Sequence, residues 1–185
     1  MANVAKTIGT AVGRDYSTIS AWESDLSDTS IYASQDTAEG DCYDDSEFSE
    51  NVSINGVFDL SKITLTADPS TRHDGTIGSG ATIKPSGPTS YAINVNESNT
   101  VISWLDINGD DDGANGVKFS TGTTGVYLQN CLVHNFGSTS DVSTDVYVIR
   151  NLSATNFTNN FIFNNTSGSS ADLFVHHSSN SVASY

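Results

Sequence analysis

Apolar residues along the chain occur in short runs that end in turn-forming residues. Four such runs, at 63–67, 101–109, 125–137 and 156–165, combine β-branched or aromatic residues with a following Gly, Asn or Asp. Runs of this length and composition, bounded by turn residues, are typical of buried strands. The pattern therefore predicts an all-β protein built from many short strands.

The last three runs repeat at a nearly constant interval. Leu105–Asn108 aligns with Leu132–Asn135 and with Ile162–Asn165, at offsets of 27 and then 30 positions. A period of this size indicates stacked supersecondary units. Each unit ends in an asparagine, whose amide can hydrogen-bond to its equivalents in neighbouring strands. The predicted structural ladder consists of Asn108, Asn135 and Asn165.

These features favour a single-stranded right-handed parallel β-helix, a solenoid in which equivalent positions of successive rungs stack about one strand spacing apart. The alternative is an antiparallel sandwich, because hairpin-type Asn-Gly pairs occur at 55–56, 108–109 and 115–116. The positions predicted to point inward are Val101, Trp104, Leu105, Ile107, Val126, Leu128, Cys131, Val133, Phe157, Phe161 and Phe163.

One short amphipathic helix is expected before the strands. Ile19, Trp22 and Leu26 are spaced i, i+3 and i+7, and Ser17 is a candidate N-cap. Such a helix can cover the open end of a solenoid, where backbone groups would otherwise pair with another chain. We therefore expect one structural domain, with a strand and capping helix in 1–30 and rungs in 31–185.

The charge balance limits the partners. Twenty-two acidic residues against seven basic residues give a formal charge of −15. This charge repels phosphate backbones and anionic membrane surfaces, so nucleic acid is not an expected partner. No apolar run approaches the length needed to span a bilayer, so membrane insertion is not expected. It also favours solubility of a repetitive β protein.

The cysteines and the N-terminus carry little functional information. Cys42 and Cys131 lie far apart, without the spacing of a zinc site or a disulfide framework, so buried free thiols are expected. The first residues lack the basic and apolar regions of a signal peptide. Release by cell lysis, as for phage particles, would reconcile this with a virion-surface or extracellular location.

The sharpest local motif is acidic. Asn108, Asp110 and Asp112 place oxygen ligands on alternate residues and precede Gly113, as at the start of an EF-hand calcium loop. The twelfth position of such a loop is Phe119 here, where the bidentate Glu is missing. The three residues are therefore either calcium ligands or part of a polar turn between rungs, and no cofactor is required.

Several segments carry a family resemblance. The run 6–23, the segment 40–43, the Arg-His-Asp-Gly turn at 72–75 and the pattern at 125–135 resemble uncharacterised right-handed parallel β-helix repeat proteins of phage and environmental sequences. The resemblance covers most of the chain. It implies a fold like that of pectate lyases, polygalacturonases, phage tailspikes and some virion surface proteins, and fold alone does not decide among these functions.

No catalytic set stands out in the sequence. A lyase of this fold class would need clustered basic residues, whereas the seven here are scattered. A glycosidase would need two carboxylates across the scissile bond, and Asp106 and Asp110 to Asp112 have no recognisable partner motif. Arg72-His73-Asp74 reads as a turn with a local ion pair, because adjacent residues point apart.

The sequence thus favours a non-enzymatic structural protein of a phage virion, as a capsid decoration or a fibre or tailspike component. An unpaired last rung at 175–185 is expected to recruit other chains, as a homotrimer with further virion proteins around it. The alternatives are a β-helix that binds or cleaves a surface polysaccharide, and an extracellular fibre subunit that stacks end to end.

Overall fold

The computed structural model describes residues 1–56, 59–87, 91–110, 115–137, 146–150, 156–166, 173–174, 176–178 and 181–183. One α-helix, α1, spans Ile19–Ser24 and is followed by a turn of 3-10 helix at Asp25–Ser27. The strands are β1 Asn3–Ile8, β2 Thr37–Cys42, β3 Phe48–Ser49, β4 Val52–Ile54, β5 Lys62–Ala67, β6 Thr82–Lys84, β7 Tyr91–Val95, β8 Thr100–Ser103, β9 Asp106–Asn108, β10 Asn115–Phe119, β11 Tyr127–Gln129, β12 Leu132–His134, β13 Val146–Tyr147, β14 Ile149–Arg150, β15 Phe157–Thr158, β16 Phe161–Phe163, β17 Leu173–Phe174, β18 His176–Ser178 and β19 Ser181–Ala183.

The strands form three main sheets. Sheet A has the order β1-β2-β5-β8-β11-β15, sheet B the order β3-β6-β9-β12-β16, and sheet C the order β4-β7-β10-β14-β18-β19. Every pairing in these sheets is parallel except β18 with β19, and β13 and β17 form a separate parallel pair. After β1 the chain contributes a strand to sheet A, then to sheet B and then to sheet C before it returns to sheet A. We call each such set of strands a pass.

The predicted single-stranded right-handed parallel β-helix is wrong, because the strands are distributed over three separate sheets that are not closed. The physical reason lies inside the apolar runs. Run 101–109 is interrupted at Trp104, which has a φ of 58°, and run 125–137 at Asn130, which has a φ of 53°. A left-handed residue turns the chain, so each run contributes one strand to sheet A and another to sheet B. The antiparallel sandwich is equally absent from the described residues, where only β18 and β19 pair antiparallel.

The register in sheet B differs by one residue from the sequence alignment. Leu132 pairs with Asp106 and with Phe161, so the offsets are 26 and 29. The alignment had matched Leu132 with Leu105 because both are leucines, but Leu105 lies in the turn before β9. A shift of one residue exchanges the two faces of a strand.

The core lies between the three sheets. In sheet A, Leu65, Ile102 and Leu128 stack in register and are fully buried. Burial of each such side chain contributes roughly 1.5–3 kcal/mol relative to exposure. In sheet B, Ile107 and Val133 occupy the corresponding inward positions.

The prediction of which side chains point into the core is wrong at several positions. Phe161 is 62% exposed and pairs with Leu132, which places it on the outer face of sheet B and not toward the core. Val101 and Trp104 are half-buried. Val101 pairs with Thr64 and Tyr127, which also alternate with inward residues.

The helix α1 packs against the first strands. Ile19 and Trp22 are fully buried, and the Trp22 ring lies so close to Gly40 of β2 that a Cβ there would be 2.9 Å from it. The N-cap is Thr18, whose hydroxyl accepts a hydrogen bond from the Ala21 N–H at 3.1 Å, so the predicted Ser17 cap is wrong by one residue. Among the described residues, no helix has the length and apolar character needed to cross a membrane.

Candidate functional site

The segment 68–81, between β5 and β6, lies over the outer face of sheet B, and we call it the covering loop. Its Gly78 N–H donates to Asp106 Oδ2 at 2.7 Å, and His73 Nε2 lies 2.7 Å from the Asn130 carbonyl oxygen. The two arms of the loop touch, because a Cβ on Gly80 would be 2.6 Å from His73 N. The loop therefore brings His73 to a backbone carbonyl that lies 57 residues away in sequence.

Beneath the covering loop lies a buried carboxylate–imidazole pair. Asp106 opens β9 and His134 closes β12, and both are fully buried. His134 Nε2 donates to Asp106 Oδ1 at 2.6 Å. The His134 ring stacks on Phe163 of β16, with centroids 4.8 Å apart. Buried polar groups need such partners, since an unsatisfied one costs about 1–3 kcal/mol.

Among the residues that the structure describes, no hydroxyl or thiol is hydrogen-bonded to the imidazole of this pair. A His–Asp pair activates a nucleophile only when a hydroxyl or thiol lies within hydrogen-bond reach of the imidazole. Among the described residues, His134 Nδ1 has no hydrogen-bond partner. The neighbouring thiol of Cys131 is directed at the carbonyl oxygens of Gln129 and Ile102, and burial raises the pKa of Cys131 to about 12. The thiol is therefore unreactive at neutral pH.

A second cluster forms where sheet A turns into sheet B. Trp104 occupies the left-handed position that Asn130 and Asn159 occupy in the next two passes. A bulky side chain in this conformation is uncommon. The Arg72 guanidinium lies 4.8 Å from the Trp104 ring, and the His73 ring lies 5.8 Å away. The arginine and histidine of the Arg-His-Asp-Gly segment thus both lie beside the indole. The predicted local ion pair is not seen among the described residues, since Asp74 instead accepts hydrogen bonds from the Thr76 N–H and the Ser79 hydroxyl.

The predicted calcium residues have protein partners where they are described. Asn108 Oδ1 accepts from the Asp110 N–H at 3.0 Å and from Asn135 Nδ2 at 3.1 Å. Asp110 pairs with Lys84 Nζ at 2.6 Å. Asp112 lies outside the described residues, and the described residues contain no group of three or more His, Cys, Asp or Glu side chains suited to a metal. Calcium binding at this turn stays a prediction.

The three ladder asparagines contact neighbouring passes in two ways. Asn135 donates directly to Asn108. Asn165 instead accepts from the Phe136 N–H at 2.9 Å and donates to the Val133 carbonyl at 3.4 Å. Asn160 makes the same kind of bridge, to Cys131 N and Leu128 O. Amide side chains therefore satisfy turn backbone of the preceding pass, which is their main structural use here.

The outer face of sheet A is acidic beside the covering loop. Asp41 of β2 lies near Glu39, Asp68 and Arg72. Burial raises the pKa of Asp41 to about 6, with additional repulsion from Glu39 and Asp68 outweighing the opposite effect of Arg72. Asp41 consequently titrates just below neutral pH.

Sequence patterns did not identify the Asp106–His134 pair, nor the role of Trp104. A usable signal was the alternation in β12, since His134 lies two residues after Leu132 and shares its face. Comparison with known proteins adds no relative: no protein-family model, curated protein or solved structure matches the chain.

Proposed function

We propose that the protein is a non-enzymatic structural component of a phage virion, in a capsid decoration, fibre or tailspike, that acts through a rigid outer surface. The observation that carries the proposal is that potentially reactive side chains are buried and serve as structural contacts. Asp106, His134 and Cys131 are fully buried. Their hydrogen bonds join neighbouring passes, and in an enzyme such groups would face a substrate.

The surface charge supports the same proposal. Three of the basic residues are paired with nearby carboxylates, as Lys6 with Asp15, Arg14 with Asp45 and Lys84 with Asp110. The formal net charge remains −15, and like charge of this size keeps open-edged sheets from associating indiscriminately. The placement in a virion rests on the sequence resemblance described above, and the homotrimer with other virion proteins as partners rests on the open sheet edge expected at 175–185.

The test is negative-stain imaging with mass determination, on the protein alone and mixed with candidate phage particles. We expect trimers that decorate capsids or tails. Monomers that leave every particle bare would contradict the structural role.

An enzymatic role is tested separately on a panel of surface polysaccharides, by assay of new reducing ends. We expect no cleavage by the native protein. Cleavage that the His134→Gln variant loses, while the folded structure is retained by circular dichroism, would show that the protein is an enzyme.

A further inference from the structure

A groove crosses the outer face of sheet A near the starts of β5, β8 and β11. Its volume is about 240 Å³. This is below the roughly 300–1,000 Å³ of pockets for drug-sized ligands, so it suits a single small ring. The groove is lined by Ser61, Lys62, Asn99, Val101, Gly125 and Tyr127.

The strand register places these residues in two short columns. Ile63 pairs with Thr100, so Lys62 is level with Asn99, and Val101 pairs with Tyr127, so Asn99 is level with Gly125. Two strand spacings separate the lysine from the tyrosine strand, about 10 Å in all. Lys62 and Tyr127 thus stand at opposite ends of the groove, with Asn99 and Val101 between them.

Gly125 leaves space in the groove beside Asn99. Its φ is 67°, and a Cβ at this position would lie 2.4 Å from Asn99 Oδ1. A left-handed glycine therefore permits close approach of the two strands and leaves the floor of the groove without a side chain. This is a built depression rather than a gap between mobile side chains.

The chemistry of the lining is unusual for this acidic chain. Lys62 is exposed and makes no ion pair with any residue in the described part of the chain. Tyr127 is half-buried, with part of its ring open to the groove, and Asn99 is exposed. An aromatic face, an amide and one cation over an apolar valine form a set that binds a sugar ring carrying a carboxylate.

We propose that this groove binds a single carboxylated sugar residue, with Tyr127 against the ring, Lys62 paired with the carboxylate and Asn99 bonded to hydroxyl groups. The overall charge of −15 opposes a continuous polyanion. At physiological salt, charges beyond about 8 Å are screened, so distant acidic residues oppose a carboxylate bound beside Lys62 only weakly. The site goes beyond the structural role and does not depend on assembly into particles.

The test is a titration of the isolated protein at physiological salt with methyl glucuronide and with methyl glucoside, followed by amide chemical shifts. We expect the glucuronide to shift the Gly125, Val101 and Tyr127 amides and to bind roughly tenfold tighter than the glucoside. Lys62→Gln should abolish that preference. Tyr127→Phe should retain binding, and Tyr127→Thr should weaken both sugars by about tenfold.

Lys118→Gln is the matched control, because Lys118 already lies 5.4 Å from the Tyr91 ring on a different sheet. It should leave the preference unchanged. Equal binding of the two sugars, shifts confined to another surface, or absence of shifts up to about 50 mM sugar would overturn the proposal. None of these outcomes bears on whether the protein decorates particles, so the two proposals fail independently.

Discussion

At the scale of single residues, side chains in this protein depart from local preference where they hold neighbouring passes together. Trp104 takes a left-handed backbone conformation that asparagine adopts in the following passes. The cost relative to an ordinary conformation is roughly 1–2 kcal/mol. Contacts of the indole with Arg72 and His73 offset it. A tryptophan at this turn is therefore explained by its contacts and not by its backbone propensity.

Asp41 provides a prediction about pH. Its pKa is raised from the ordinary value of 3.8 to about 6, chiefly by burial and then by Glu39 and Asp68. Ionisation therefore opposes folding, and the stability that the neutral carboxyl contributes is lost as pH rises from 3.8 through 6. We expect Asp41→Asn to raise the free energy of unfolding by about 1 kcal/mol at pH 7, after allowance for solvent screening.

The measurement is urea unfolding of both proteins between pH 4 and pH 7. The gain should disappear near pH 4, where the native carboxyl is also neutral. Asp15→Asn is the contrasting variant, because the backbone N–H of Thr7 and then its hydroxyl and Lys6 lower the pKa of Asp15 in spite of partial burial. It should lose stability at pH 7, and a shift of the same sign for both variants would contradict this explanation.

At the scale of elements, the covering loop is held by the pair beneath it. Asp106 accepts one hydrogen bond from the loop and one from His134. We expect Asp106→Ala to lower the free energy of unfolding by about 3 kcal/mol, because it leaves a buried imidazole and a loop N–H without partners. Urea unfolding gives the total loss, and faster hydrogen exchange at Gly78 N would locate it.

The control is Asp110→Asn, which removes an exposed ion pair with Lys84 that should contribute less than about 1 kcal/mol and keeps a side chain that tolerates the left-handed φ of 57° at this position. Equal losses for the two variants would show that the buried pair does not anchor the loop.

The strands, the helix and the covering loop show which parts of the fold and of the site could be predicted from the sequence. The apolar runs correctly indicated strands, and the spacing of Ile19 and Trp22 correctly indicated α1. Division of the three later runs between two sheets was missed, because Trp104 does not resemble the asparagines that turn the chain in the next two passes. The Asp106–His134 pair was missed because burial of Asp106 depends on the covering loop, a contact between distant segments that no local pattern encodes.

At the scale of the whole molecule, the excess negative charge weakens the compact state. A formal charge of −15 repels itself in the compact state more than in the unfolded chain. We expect the melting temperature to rise as NaCl increases from about 0.01 to about 0.5 M, because salt screens this repulsion. Differential scanning calorimetry measures the melting temperature at each salt concentration, and a neutral osmolyte serves as the control. A constant or falling melting temperature would mean that specific ion pairs outweigh the net charge.

The contacts of the covering loop also affect the order in which parts of the molecule unfold. Strands that pair only with the next pass would allow the ends to unravel one pass at a time. The loop breaks this independence, since His73 reaches Asn130 across an intervening pass and Gly78 reaches the pair formed by Asp106 and His134. We therefore expect the middle passes to open as one cooperative unit, after the outer strands have exchanged their amide hydrogens.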